Sequence, residues 1–283
     1  DGNAPLENKV SLYANADAER ALQALFKDCR DDSHCQASFP ALEQDFGMVL
    51  DAFGEDGFEV TLNDPDSGEV ITFVLTRNSF VNAIRAILYV PQISRLIPII
   101  IDQAMERDFR ALMGVVAALD GDTGVAVGTQ LTILCAEDYS RMSRLEISSE
   151  TSKGFVGDAF VDIFANACSV WPRAPLPEIY SQDLSSQVPT LILSGAIDPV
   201  TPERWGNRMA ELMTNSIHLI AVNTGHNVAP VGCAPELMAQ FVDQASVEGI
   251  DGSCLDELSR PSFFVDANGP TPALDKASDM REQ

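Results

Sequence analysis

Apolar residues along the chain follow two spacings, one typical of helices and one typical of strands. Helical spacing recurs in five stretches: 14–28, 39–53, 78–118, 155–167 and 234–244. Two strand-like runs, 58–62 and 70–75, flank the turn sequence Asn-Asp-Pro-Asp-Ser-Gly and predict a β-hairpin. The first half of the chain is therefore predicted to be mostly helical, with one hairpin inside it.

A strand–helix–strand pattern lies between Val188 and His226. The apolar run Val188-Pro-Thr-Leu-Ile-Leu leads through Ser-Gly-Ala-Ile to Asp198, and the stretch 202–214 then fits an amphipathic helix. A second apolar run, 217–222, leads to Thr-Gly-His226. Strands joined through a helix lie parallel, and the site in such sheets lies beyond the carboxyl ends of the strands. Asp198 and His226 are therefore predicted to meet at one sheet edge, where a carboxylate orients an imidazole acting as general base.

The polar residues of this region also have plainer interpretations. Asp198 precedes Pro199, so an Asx turn is the structural alternative for it. His218 falls in the middle of the second strand, where a packed histidine is expected, and Ser194 falls inside the first strand. The sequence Gly-x-Ser-x-Gly, the turn that exposes a nucleophilic serine, is absent from the chain.

The residues around the two loops resemble a known family. Gly-Ala-Ile-Asp198-Pro-Val-Thr-Pro, Thr-Gly-His226 and the trailing Cys233 and Cys254 are similar to the C-terminal region of the tripeptidyl-aminopeptidase-like serine hydrolases, relatives of proline iminopeptidase. The resemblance implies an α/β-hydrolase fold in which Asp198 is the triad acid and His226 the triad base. It implies a mostly helical lid with the β-hairpin, followed by the C-terminal parallel strands of the core sheet.

The start of the chain bears on where the nucleophile lies. Asp1-Gly-Asn-Ala-Pro5 resembles the Asp-Gly-x-x-Pro run that precedes the lid in that family. We therefore expect residues 1–170 to form the lid or cap. Residues 171–283 are expected to form the C-terminal part of the core, with a loosely held tail after about 265. An N-terminal half carrying the nucleophilic serine is expected as a partner, and this chain alone is expected to be inactive.

A second stretch with candidate chemistry runs from Leu131 to Tyr139. Its apolar, strand-like start ends at the acidic pair Glu137 and Asp138. The resemblance implies that carboxylates of the lid contact the free amino terminus of a peptide substrate. A carboxylate can accept a charge-assisted hydrogen bond from this ammonium group. The structural alternative is that Glu137 caps or bridges segments within the lid.

Six cysteines leave three chemistries open: disulfides, reduced thiols or a zinc site. Zinc is disfavoured because Cys-x-x-Cys is absent and the three histidines are dispersed. The resembled family's pattern implies the pairs 29–35, 135–168 and 233–254. Disulfides imply an oxidising compartment, so the protein is expected to be extracytoplasmic, either periplasmic or secreted.

Charge and hydropathy narrow the set of partners. The formal net charge is −24, which disfavours nucleic acid and anionic membranes and favours cationic ligands such as a peptide ammonium. The plainer explanation of this negative charge is that it keeps the protein soluble. No apolar run reaches the roughly 18 residues that span a bilayer. The segment Gly121–Gly128 lacks the Gly-Lys-Ser/Thr ending of a phosphate loop, so we expect no cofactor. The absence of Cys-x-x-Cys and the dispersed histidines likewise lead us to expect no metal.

Two classes of function follow from these observations. The first is a serine exopeptidase that releases residues or short peptides from peptide N-termini through an acyl-enzyme, with Asp198, His226 and the lid supplied by this chain. An esterase acting on small esters is an alternative within this class. The second is a non-catalytic fragment that binds a peptide or a partner chain.

Overall fold

The computed structural model describes residues 2–63, 67–119, 126–182 and 185–270. The helices in these ranges are α1 (Val10–Asp31), α2 (Ser33–Ser38), α3 (Leu42–Ala52), α4 (Arg77–Ile87), α5 (Pro91–Ser94), α6 (Ile97–Met105), α7 (Arg110–Leu119), α8 (Val127–Ile133), α9 (Arg144–Thr151), α10 (Ala159–Val170), α11 (Glu203–Leu212) and α12 (Ala234–Gln244). The strands are β1 (Phe58–Asn63), β2 (Val70–Leu75), β3 (Thr190–Gly195) and β4 (Ser216–Ala221). The described part of the chain is thus mostly helical with two small sheets.

The described residues divide into two compact units. The first lies within Asp1–Gln23, Asn78–Pro91 and Asp120–Arg260, and the second within Ala24–Arg77, Gln92–Leu119 and Pro261–Gln283. The assignment of residues 1–170 to a lid and of residues 171–283 to the core stays a prediction. Most of the predicted tail, 271–283, lies outside the described residues.

The first unit contains the parallel pair of strands predicted from the sequence. β3 and β4 pair in parallel, with Thr190 opposite Ser216 and Gly195 opposite Ala221, and α11 connects them. Leu193 and Ala221 of these strands are buried with Ala234 and Leu237 of α12. Cys233 and Cys254 form a disulfide and pack against this core.

The prediction of a strand from Leu131 onward is wrong, because these residues are helical. α8 continues into a π-helical turn, Leu134–Asp138. Its apolar residues recur at helical spacing and pack against α10, around a disulfide between Cys135 and Cys168. A short apolar run does not distinguish a strand from a buried helix, and here the packing on one face decides for the helix.

The second unit contains the hairpin and a helical core. β1 and β2 pair antiparallel, with Phe58 opposite Leu75, and their connecting residues 64–66 lie outside the described ranges. Phe53, Phe58 and Phe109 stack close to one another beside the hairpin. A disulfide joins Cys29 near the end of α1 to Cys35 in α2. That the hairpin belongs to a lid stays a prediction.

All six cysteines are paired, in the three combinations that the resemblance implies. Among the described residues, no helix is both long and apolar enough to cross a bilayer.

Candidate active site

The parallel pair brings two loops to the same sheet edge. Asp198 lies three residues beyond β3, and His226 lies five residues beyond β4. The loops share backbone hydrogen bonds, including one of 3.1 Å from the Ile197 N–H to the Thr224 carbonyl. A Cβ atom on Gly195 would lie 2.0 Å from the Gly225 carbonyl oxygen, so the close approach of the two loops requires glycine there.

The carboxylate of Asp198 and the imidazole of His226 are in direct contact. His226 Nδ1 lies 2.9 Å from Asp198 Oδ2. The Thr201 hydroxyl donates to the same oxygen at 2.9 Å, and the Val200 and Thr201 amides donate to Oδ1 at 2.8 and 3.0 Å. The carboxylate is therefore fixed by its own turn, in the orientation that an acid partner of histidine needs.

The electrostatics of Asp198 favour its ionised form. Asp198 is only 2 % exposed, and burial by itself raises the pKa of its carboxyl. The hydrogen bonds from His226, Thr201 and Val200 outweigh burial, so this pKa lies below its usual value. An ionised Asp198 fixes the His226 proton on Nδ1 and leaves Nε2 free to accept a proton.

Residues that sequence reasoning missed hold His226 in place. The His226 N–H donates to the Tyr89 carbonyl at 2.9 Å, and the two rings meet edge to face with centroids 5.1 Å apart. The Tyr89 hydroxyl in turn accepts from Arg85 at 2.9 Å. A Cβ atom on Gly225 would lie 2.3 Å from the Tyr89 carbonyl oxygen. Since Tyr89 is more than a hundred residues away in sequence, no local pattern could have identified it.

The imidazole is the accessible member of the pair, because the His226 side chain is 35 % exposed. A reacting group can therefore approach it, while its partner carboxylate stays shielded from water.

The two acidic residues of the second candidate stretch have different partners. Glu137 accepts a hydrogen bond from the Tyr180 hydroxyl at 2.6 Å, and burial together with this bond raises the pKa of Tyr180 to about 12. Asp138 accepts from the Val10 N–H at 2.9 Å, and burial raises its pKa to about 6. The two carboxylates thus have different partners within the first unit, Tyr180 and the Val10 N–H.

A cavity of about 380 Å³ borders Tyr180. Its lining residues are Leu6, Arg141, Leu176, Pro177, Glu178 and Tyr180. The cavity has both apolar and charged walls.

A second serine–histidine contact lies inside the same sheet. Ser194 Oγ is 2.9 Å from His218 Nε2, and His218 Nδ1 is 3.0 Å from Asn207 Oδ1. Ser194 is 1 % exposed and also contacts Asn3, and burial lowers the pKa of His218. A Cβ on Gly206 would lie 2.3 Å from His218 Nε2, so helix α11 closes over this contact. The arrangement gives the buried Ser194 hydroxyl a hydrogen-bond partner in the half-buried His218.

Within the described ranges, no group of three or more His, Cys, Asp and Glu side chains is placed to hold a metal ion.

Comparison with known families gives one match. Residues 153–254 match the α/β-hydrolase family described as TAP-like protein, which confirms the resemblance for this part of the chain. The matched region contains β3, α11, β4, Asp198 and His226 and covers less than half of the 283 residues. No curated protein matches the chain.

Proposed function

Because residues 153–254 match the TAP-like family of α/β-hydrolases, we propose that this chain supplies the acid and base of a serine hydrolase. The observation that carries the proposal is the 2.9 Å contact between His226 Nδ1 and an Asp198 carboxylate held by three further donors. A buried carboxylate against a partly exposed imidazole is the arrangement that activates a serine hydroxyl.

The proposed reaction is acyl transfer to serine and then to water. A serine hydroxyl gives its proton to His226 Nε2 as its oxygen attacks the scissile carbonyl, and the imidazolium gives this proton to the leaving amine. Water then repeats the sequence on the acyl-enzyme and regenerates the serine. Asp198 stays ionised throughout and stabilises the imidazolium.

The nucleophile is proposed to lie outside residues 1–283, in an N-terminal half that completes the sheet. The sequence contains no Gly-x-Ser-x-Gly, and the Ser194 hydroxyl is 1 % exposed and in contact with His218 Nε2. An acid–base pair without its nucleophile has no acyl-transfer activity, so residues 1–283 alone are expected to be inactive.

The proposed substrate is a peptide with a free N-terminus, from which residues or short peptides are released. Tyr180 lines the cavity and donates a hydrogen bond to Glu137. The half-buried Glu137 carboxylate can accept a further hydrogen bond from an ammonium group. Asp138 is more deeply buried beside it and ties the start of α1, so we propose that it supports this subsite. The net charge of −24 favours a cationic ligand over an anionic one.

The three disulfides support an extracytoplasmic location. Alkylation of the protein from its natural source, without prior reduction, tests this. We expect none of the six cysteines to be labelled, and labelling of all six would contradict the proposal.

The catalytic proposal is tested with protein from its natural source and two histidine variants. A fluorophosphonate probe is expected to label a serine on a segment that accompanies this chain, and peptide p-nitroanilides with a free N-terminus are expected to be cleaved. His226→Ala should lower the cleavage rate by about four orders of magnitude. His34→Ala is the matched control, because His34 is exposed on α2, and should leave the rate unchanged.

Each result separates the candidate functions. Cleavage of small esters but not of peptides would favour an esterase. Absence of both labelling and cleavage would favour a non-catalytic binding fragment. Full activity in His226→Ala would exclude the assigned base.

A further inference from the structure

Helix α1 contacts the backbone of the turn that carries Asp198. The Arg20 guanidinium donates from Nη1 to the Ala196 carbonyl at 2.7 Å and from Nη2 to the Asp198 carbonyl at 3.0 Å. A guanidinium is planar and its donors have fixed directions. A single side chain therefore fixes the positions of two carbonyls on either side of Ile197.

One helical turn earlier, Asp17 holds the segment that follows the same turn. Its carboxylate accepts from Arg204 at 2.9 and 2.8 Å and from the Trp205 indole at 3.2 Å. Arg204 and Trp205 lie in the first turn of α11. Asp17 is 2 % exposed, and burial raises the pKa of its carboxyl despite these donors.

The spacing of Asp17 and Arg20 places them on one face of α1, because residues three apart are neighbours on a helix. Arg20 thus binds the start of the turn, and Asp17 binds the helix that begins after it. The Asp198 carboxylate is itself anchored to the Val200 and Thr201 amides, so it moves with the turn backbone.

We propose that Asp17 and Arg20 are positioning residues that hold the Asp198 turn at both ends and keep Asp198 Oδ2 in line with His226 Nδ1. The inference rests on the proposed roles of Asp198 and His226. Displacements of about 1 Å in such a pair cost about 100-fold in rate, so positioning from a neighbouring helix matters to the chemistry.

The test is spectroscopic and requires no substrate. In protein labelled with ¹⁵N-histidine, the His226 Nδ1 proton is observed in the downfield spectrum and assigned by its absence in His226→Gln. Arg20→Gln is expected to shift or broaden this resonance and to raise the exchange rates of the Val200 and Thr201 amide protons about tenfold or more. Arg20→Lys keeps the charge and a donor group and should restore part of both signals.

Arg30→Gln is the matched control. Arg30 lies on the same helix and pairs with Glu43 at 3.1 Å, so the same substitution removes the same charge and breaks a different ion pair. Its His226 resonance and its amide exchange rates should equal those of the wild type. An equal disturbance in Arg30→Gln would overturn the inference, because it would then reflect charge on α1 in general.

A folded Arg20→Gln protein with an unchanged His226 resonance and unchanged amide exchange would also overturn the inference. If Arg20→Gln does not fold, Arg20→Lys and Asp17→Asn decide: wild-type resonances in both would refute it. Because no turnover is measured, this result is independent of the cleavage assay on His226→Ala, which tests the hydrolase proposal.

Discussion

Replacing Asp138 by asparagine is expected to stabilise the protein at neutral pH. The carboxyl group is 7 % exposed, and burial raises its pKa from 3.8 to about 6. The Val10 N–H and Arg141 lower this pKa, but by less than burial raises it. An asparagine oxygen can still accept the Val10 N–H, so Asp138→Asn removes the charge and keeps the hydrogen bond.

The size and sign of the effect follow from the two pKa values. Since the folded-state pKa is the higher one, ionisation of Asp138 costs the folded state free energy. This cost is fully present above about pH 6 and disappears as the pH falls towards the unfolded-state value of 3.8. The difference in pKa corresponds to about 3 kcal/mol at most. Because the asparagine amide needs a partner of its own, we expect a gain of about 1–3 kcal/mol near pH 7.5.

Urea unfolding followed by tryptophan fluorescence measures the relevant free energy. Both tryptophans, Trp171 and Trp205, belong to the same compact unit as Asp138. Glu146→Gln is a control of opposite sign in that unit, because hydrogen bonds from Lys9 and Ser143 lower the pKa of Glu146 to about 2. Its ionised form stabilises the folded state above pH 4.5, so Glu146→Gln should lower the free energy of unfolding at neutral pH.

The decisive quantity is the difference between Asp138→Asn and the wild type at two pH values. It should be positive near pH 7.5 and smaller by about 2 kcal/mol near pH 4, where the pH-independent cost of the asparagine amide offsets the remaining gain. A variant that is no more stable than the wild type near pH 7.5 would refute the argument. So would a gain of equal size at both pH values, because it would then have nothing to do with ionisation.

Two further variants test what stabilises the first unit. Gly225→Ala places a Cβ 2.3 Å from the Tyr89 carbonyl oxygen and should cost about 1–3 kcal/mol in urea unfolding. Gly128→Ala lies in helix α8, where the added Cβ meets only ordinary contacts, and should be neutral or stabilise by up to about 1 kcal/mol. An equal loss of stability in both variants would contradict the geometry. Replacing both Cys135 and Cys168 by alanine opens a loop of 33 residues and should cost about 3–4 kcal/mol, whereas a change within about 0.5 kcal/mol would show that the disulfide is dispensable.

The strand–helix–strand unit was predictable because all of its determinants are local. Apolar runs of strand length, an amphipathic segment between them and glycine at the turns specify β3, α11 and β4 in order. Parallel pairing follows from the helical connection, and the position of Asp198 and His226 beyond the strand ends follows from the pairing. The contact between the Asp198 and His226 side chains was therefore predictable from the sequence pattern.

Residues 131–138 show where this reasoning fails. Their composition fits a strand or a buried helix equally well, and local sequence holds no further information on the choice. The helix is decided by α10 and by the Cys135–Cys168 disulfide, which both act on one face of the segment. The different partners of Glu137 and Asp138 depend on that helix and could not be predicted from the local sequence either.

The sequence by itself determined that a parallel pair of strands presents Asp198 and His226 together. Tertiary structure alone decided what holds them: Tyr89 beneath His226, and Arg20 and Asp17 around the Asp198 turn. The physical reason is the range of the forces involved. Strand and helix patterns arise from neighbouring residues, whereas a hydrogen bond between segments over a hundred residues apart exists only after the chain has folded.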